Sequence, residues 1–231
     1  MKNKTVAEFV AEDYRTSDIF YAYDIDFCCG GKKSISQVCK EKNIDADKLV
    51  NDLSNLKKST DDVNFADLSA TELINHIETH HHNYIRTHSP ILIQYLNKIY
   101  KVHGDRHPEL QELYTTFENL AHELEDHLLK EERILFPFIR LLEARKSLSD
   151  NPFSTVSHPI TRLESEHEDA GDAIKKIRDI TQDFTPPSDA CSTYKIAFEK
   201  LKDFEQDLFK HVHLENNILF PKAILLEREL S

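Results

Sequence analysis

Two stretches of this chain set an imidazole and a carboxylate four residues apart. His127-Leu128-Leu129-Lys130-Glu131-Glu132-Arg133-Ile134-Leu135-Phe136-Pro137 returns as His211-Val212-His213-Leu214-Glu215-Asn216-Asn217-Ile218-Leu219-Phe220-Pro221. The shared pattern is H-x-x-x-E-x-x-I-L-F-P, and the second copy follows the first by 84 positions. On a helix, residues i and i+4 lie on one face, one turn apart. Each copy therefore aims an imidazole and a carboxylate at one spot. Mixed imidazole and carboxylate ligands suit iron or manganese, whereas a structural zinc site more often uses cysteines.

The elements that carry these pairs decide whether they face a core or water. Before the first copy, apolar residues recur at Leu110, Leu113, Phe117, Leu120 and Leu124. The next steps of that three-four rhythm are His127 and Glu131, after which the stripe resumes at Ile134 and Phe138. The second copy follows Tyr194, Ala197, Leu201, Phe204 and Leu208, with Ile218 after Glu215. Both pairs thus interrupt a buried stripe. A carboxylate in a core needs a partner or takes up a proton, so two such pairs ask for a common cation.

Two more stripes contribute. One runs through Ile160, Leu163, His167, Ala170, Ile174 and Ile177, again with a histidine at a core step. The other passes Ile74, Ile77, Ile85, Leu92 and Ile99 in a segment that also holds His76, His80, His81, His82 and His88. Its periodicity places His81 slightly nearer the centre than His82 and does not choose between them.

Four long helices follow from these patterns: about Ser69–Val102, a second to about Ala144, His158–Phe184, and a last one to about Glu227. Ser69 and Glu72 form a capping-box pattern. Gly104, Asp105 and Pro108 mark the first turn, Lys146–Ser157 is a loop, and Thr185-Pro186-Pro187-Ser188-Asp189 breaks the chain again. Short connections between long helices predict an up-down-up-down four-helix bundle. Pro137 and Pro221 are expected to kink their helices just beyond the ligand pairs. Counting residues from each turn at 1.5 Å rise puts the helix-one histidine, His127, Glu131, His167, His211 and Glu215 at one depth, within about a turn. Two six-coordinate ions need about twelve ligand positions. Four imidazoles, two bridging carboxylates and a shared oxo or hydroxo bridge leave about two open for a small ligand.

Ahead of the bundle, residues 1–57 read as a small helical module, with Thr5, Ser17, Ser34 and Asp45 as helix caps. Residues 57–68 read as a polar linker. The net charge of -12 argues against nucleic acid or an anionic membrane as partner. No apolar run is long enough to span a bilayer, and Met1-Lys2-Asn3-Lys4 does not open a signal peptide, so a cytoplasmic protein is expected. The four cysteines, Cys28, Cys29, Cys39 and Cys191, lack the spacing of a disulfide framework.

The two H-x-x-x-E copies, the lone histidine of Glu164-Ser165-Glu166-His167-Glu168, and His81-His82-Asn83-Tyr84-Ile85-Arg86 resemble hemerythrin-like di-iron proteins. Tyr23-Asp24-Ile25-Asp26-Phe27-Cys28-Cys29-Gly30-Gly31 closely resembles the N-terminal module of the RIC (repair of iron centres) family, of the ScdA/YtfE type. The resemblance covers nearly the whole chain. It implies an all-α fold: a hemerythrin-like bundle over 69–231 behind an ScdA-type module over 1–57. It also implies two non-haem iron ions, oxo- or hydroxo-bridged, held by His82, His127, Glu131, His167, His211 and Glu215, with the glutamates bridging. Members of this family can carry another histidine three positions beyond His82, where this chain has Ile85.

The implied function is restoring iron–sulfur clusters damaged by nitrosative or oxidative stress, with the di-iron centre as iron source and damaged cluster proteins as partners. Two alternatives stand beside it. One is reduction of nitric oxide or peroxide at the two ions. The other is a sensor or store for O2, NO or iron. A homodimer is compatible with all three. From the residues alone, Cys28 and Cys29 are a buried structural pair. The resemblance turns them into functional thiols that pass iron or electrons, or contact a client. A helix start at Ser34 is expected to lower a nearby thiol's pKa. Cys39 and Cys191 read as ordinary helix residues. His76, His80, His88, His122 and His213 read as groups beside the ligands or on the surface.

Overall fold

The computed structural model describes residues 3–56, 64–145 and 155–230. Part of the expected linker (57–63) and most of the expected loop after helix two (146–154) lie outside the described residues. Among the described residues the chain is all-α, and its only strand-like pairing is an isolated bridge between Thr5 and Ser34. Close approaches divide it into two compact units. One lies within Met1–Asn75, Phe138–Ser157 and Phe209–Ser231, the other within His76–Pro137 and His158–Leu208.

In the first unit, four short helices wrap a small core: α1 (Val6–Glu12), α2 (Thr16–Ala22), α3 (Ile35–Lys42) and α4 (Ala46–Ser54). Val6, Phe9, Phe20, Ile25, Phe27, Ile35 and Leu49 fill that core. Thr5 and Ser34 close reciprocal capping boxes with Glu8 and Gln37, and Asp45 caps α4, as the sequence predicts. Ser17 does not cap α2. It lies inside that helix and is fully buried, and the preceding Arg15 makes no side-chain cap. The described end of the expected linker is not simply polar: Phe65 is buried in a 3-10 turn and meets the Tyr14 ring at 4.9 Å.

The long helices begin with α5 (Ala70–Ile77), and Ser69 and Glu72 form the expected capping box. There follow α6 (Asn83–His103), α7 (Glu109–Lys130), α8 (Phe136–Glu143), α9 (Ser157–Ile180), α10 (Ser192–Leu214) and α11 (Phe220–Leu230). In the first unit, Glu143 at the end of α8 accepts the N–H groups of Ala70 and Thr71 at 2.7 and 2.9 Å. Glu227 near the end of α11 accepts the Val156 N–H at 2.7 Å. Each carboxylate occupies the open donors at a helix start.

The second unit is an antiparallel bundle. Arg86 meets Glu125 while His82 meets Glu132, so α6 and α7 run oppositely. Lys176 meets Glu112 while Glu166 meets His127, which sets α9 against α7. His103 packs on Tyr194 while His81 meets Asp207, which sets α10 against α6. A buried carboxylate, Glu205, pairs with Arg178 of α9 at 3.0 Å.

The helices are not continuous α-helix through the expected ligand positions. Wide turns of π type occupy Glu78–His82, Glu131–Leu135 and Glu215–Leu219. The Phe136 N–H reaches back to the Glu131 carbonyl, and the Phe220 N–H to that of Glu215. Pro137 and Pro221 follow directly. A proline ring collides with the carbonyl four residues back, and a wider turn relieves that collision without ending the helix. Each wide turn adds one residue to its turn and shifts the stripe. The first copy shows the shift: Ile134, expected inside, is 38% exposed, whereas Leu135 is fully buried. In helix one both His81 and His82 are buried between Ile77 and Ile85, so the wide turn brings two adjacent residues inside where an even step would bring one. Helix three stops at Ile180, short of Phe184, because Gln182, Asp183 and Phe184 take φ of 50, 57 and 56°, which no right-handed helix continues.

Candidate metal centre

Glu131 has no exposed surface. Its two oxygens divide between two imidazoles: Oε2 lies 3.4 Å from His82 Nε2 and Oε1 lies 3.4 Å from His127 Nε2. His127 Nε2 in turn lies 3.0 Å from His167 Nε2. In the second copy, His211 Nε2 lies 3.0 Å from Glu215 Oε1, and both side chains are buried. The ligand atoms of His82, Glu131, His211 and Glu215 all lie within 4.8 Å of one another, and so do those of His127, Glu131, His167 and Glu215. All six residues nominated by motif and resemblance fall in these two groups, which share Glu131 and Glu215.

The donor chemistry fits a metal. His127 Nδ1 is 3.0 Å from Glu166 Oε2, so its ring donates N–H outward and presents the bare Nε2 lone pair inward. His82 is arranged alike, with Nδ1 2.8 Å from Glu132 Oε1. Glu132 is steadied by Arg86, whose Nη1 and Nη2 reach it at 2.7 and 3.1 Å. Glu166 also accepts from Lys130 at 2.6 Å and Arg162 at 3.2 Å. Burial alone would raise the Glu166 pKa, but Lys130, His127 and Arg162 outweigh it and hold it at about 2. Glu132 is likewise lowered, its partial burial overcome by Arg86 and His82. Carboxylates of this kind fix the tautomer of a metal-binding histidine and raise its basicity. Sequence reasoning passed over Glu132 and Glu166. Their signal was proximity alone, since each is the residue beside a nominated ligand.

Helix one resolves through its wide turn. His82 is fully buried against Glu131, whereas His81 turns to Asp207 at 3.0 Å. Four more of the histidines weighed from the sequence, His76, His80, His88 and His122, stay outside the cluster. His76 stacks on His80 at 4.1 Å, His88 stacks on Tyr84 at 4.1 Å, and His122 bonds the Glu118 carbonyl. Burial, then the neighbouring His80 and His81, push His76 down to about 4.

Residues 2–57 match the ScdA_N family model, a domain of unknown function (DUF542). Residues 73–223 match the hemerythrin HHE cation binding domain. The chain is 37% identical over 209 residues to the probable iron-sulfur cluster repair protein of Haemophilus influenzae, covering 89% of this chain and 90% of that protein. It is 34% identical over 223 residues to the iron-sulfur cluster repair protein YtfE of Enterobacter sp. (strain 638), covering 96% and 97%. The chain belongs to the ScdA/YtfE-type hemerythrin-like family. The up-down-up-down bundle and the small helical module ahead of it are the fold expected of this family. No helix among the described residues is long and apolar enough to cross a membrane.

The ScdA-type Cys28-Cys29 turn lies in the first unit and is built around Asp26. Asp26 Oδ1 accepts the N–H groups of Cys28 and Cys29 at 2.9 and 3.1 Å, and Oδ2 accepts that of Gly30 at 2.9 Å. A Cβ on Gly31 would stand 2.5 Å from the Phe27 carbonyl oxygen, so close approach demands glycine there. The two sulfurs are 3.8 Å apart, and both are free thiols. The expected lowering of a thiol pKa is not seen at Cys28. Its hydrogen bond to Cys29, its burial and the Asp26 carboxylate push it well above the ordinary value. His213, expected beside the ligands or on the surface, is fully buried and bonds the Phe27 carbonyl at 3.1 Å. Burial pushes it down to about 4 against the pull of that carbonyl.

Proposed function

We propose that this ScdA/YtfE-type chain restores iron–sulfur clusters damaged by nitric oxide or peroxide. In this reading His82, His127, Glu131, His167, His211 and Glu215 hold two iron ions, with both glutamates bridging. The observation that carries it is the set of two buried carboxylates and four imidazoles whose ligand atoms fall within 4.8 Å in two overlapping groups. Relatives at 33 to 37% identity are named iron-sulfur cluster repair proteins. Iron held there supplies a redox-active store. The chain's own part is electrostatic: Glu131 and Glu215 bring negative charge into a dry site, and Glu132 and Glu166 keep the Nδ1 protons of His82 and His127 directed outward.

Residues 1–57 form the thiol-bearing module and 69–231 the di-iron bundle. One iron ion is the cargo, delivered to a client cluster, with Cys28 and Cys29 meeting the client or passing iron or electrons. A reducing cytoplasm suits four free thiols. The test loads the protein with labelled iron and mixes it with a nitrosylated cluster protein under reducing, anaerobic conditions. Label is expected in the repaired cluster. A cluster that reforms without label overturns the donor role. Sustained NO consumption without iron transfer would favour the reductase reading instead.

A further inference from the structure

The second copy of the repeat faces two ways. His211 and Glu215 belong to the buried cluster. Two residues beyond each, His213 and Asn217 face the Cys28-Cys29 turn. His213 Nδ1 donates to the Phe27 carbonyl at 3.1 Å, and Asn217 Nδ2 donates to the Cys28 carbonyl at 3.0 Å. The Phe27 ring packs edge-on against His213 at 6.0 Å and against Phe209 at 6.3 Å. Two adjacent peptide carbonyls of the thiol turn are therefore held by one face of one helix. Asn217 lies inside the wide turn Glu215–Leu219, which Glu215 opens. Rewinding that turn to α-helix would rotate Asn217 relative to Glu215 and carry its amide off the Cys28 carbonyl.

We propose that His213 and Asn217 are positioning residues that couple the occupancy of His211 and Glu215 to the exposure of Cys28 and Cys29. A cation holding both ligands fixes the wide turn, and the turn fixes the thiol loop. Release of the cation removes the tie through Glu215 and leaves Pro221 alone to hold the turn, so the turn shifts and frees the loop. By linkage, a client that draws the thiols out also loosens the hold of Glu215 on metal. The inference rests on the reading of His211 and Glu215 as metal ligands. It does not depend on whether the thiols take part in repair.

The test is iodoacetamide alkylation of the full-length protein, read cysteine by cysteine by mass spectrometry, with iron bound and after chelation. Metal content is measured in parallel. In the wild-type chain, chelation is expected to speed Cys28 labelling by about tenfold, the change for a coupling of about 1.4 kcal/mol. N217D keeps the shape of Asn217 and removes its donor. It is expected to label at the fast rate even while iron remains bound. Cys39, buried in the module core, reports unfolding and should stay slow throughout. N217A repeats the test without added charge. Equal Cys28 labelling in iron-bound and chelated wild type overturns the coupling. Protection that persists in both Asn217 variants overturns the assigned role. Wild-type repair by a C28S/C29S double variant would remove the thiols from the repair reaction and leave this readout standing, so the two failures are distinguishable.

Discussion

After its glutamate the first copy of the repeat has Glu132, where the second has Asn216; two positions on, Arg133 stands against Asn217. Two residues after the histidine, Leu129 stands against His213. The inward pair is the same in both copies, and the remaining faces are used differently. The first copy supplies Glu132, which orients a histidine from another helix and is itself neutralised by Arg86. The second supplies His213 and Asn217, which hold the thiol turn by its carbonyls. One sequence pattern thus serves a cluster that needs both copies alike and surroundings that need them to differ.

The largest expected effect removes what the copies share. E131L and E215L are each expected to abolish iron retention, since both glutamates belong to both groups. Elemental analysis after gel filtration checks this, and retention in either variant breaks the equivalence of the copies. Next comes acid. His213 is charged above about pH 4 only when the chain unfolds, because burial lowers its folded pKa from 6.5 to about 4. Its contribution to stability is therefore complete above about pH 6.5 and is lost as pH falls toward 4, a change of about 3 kcal/mol. Urea unfolding of metal-stripped protein against pH should show that slope. H213L, which copies Leu129 into the second repeat, should flatten it.

E132Q is expected to weaken iron binding roughly 10- to 100-fold, the usual cost of losing a carboxylate behind a metal-binding histidine. N216A, at the matching position, should change affinity less, and competition with a chelating dye measures both. Smallest is the contrast two residues past the glutamates. Arg133 is exposed, so R133A should shift stability by no more than about 0.5 kcal/mol. N217A should lose about 1 kcal/mol with its hydrogen bonds to the module. Equal values would erase the distinction between the copies.

Much of this was legible in the residues. The stripes placed His127, Glu131, His167, His211 and Glu215 in the core, and all five are buried. Four features were not legible. The wide turns follow from how proline meets the preceding turn and, at Glu78–His82, from no proline at all; the structure offers no local cause there. A strict three-four count therefore sent Ile134 inward and left His81 and His82 undecided. Glu132 and Glu166 matter through partners 50 and 39 residues away, which spacing along one helix does not encode. His213 read only as a group beside the ligands or on the surface and Asn217 carried no reading, because the carbonyls they bind belong to residues nearly the whole chain away. The Cys28 pKa moved opposite to expectation because the hydrogen bond to Cys29 and burial raise it first, and the Asp26 carboxylate, only two residues earlier, adds to them.

The 84-residue interval does not stop at the prolines. It extends to Glu143 and Glu227, each of which fastens the beginning of the preceding long helix. The first fastening lies within Ala70–Glu143 and the second within Val156–Glu227. A backbone cleavage at 146–154 would leave both fastenings intact, one on each fragment. Each half of the repeat thus closes the start of its own helix pair without help from the other half.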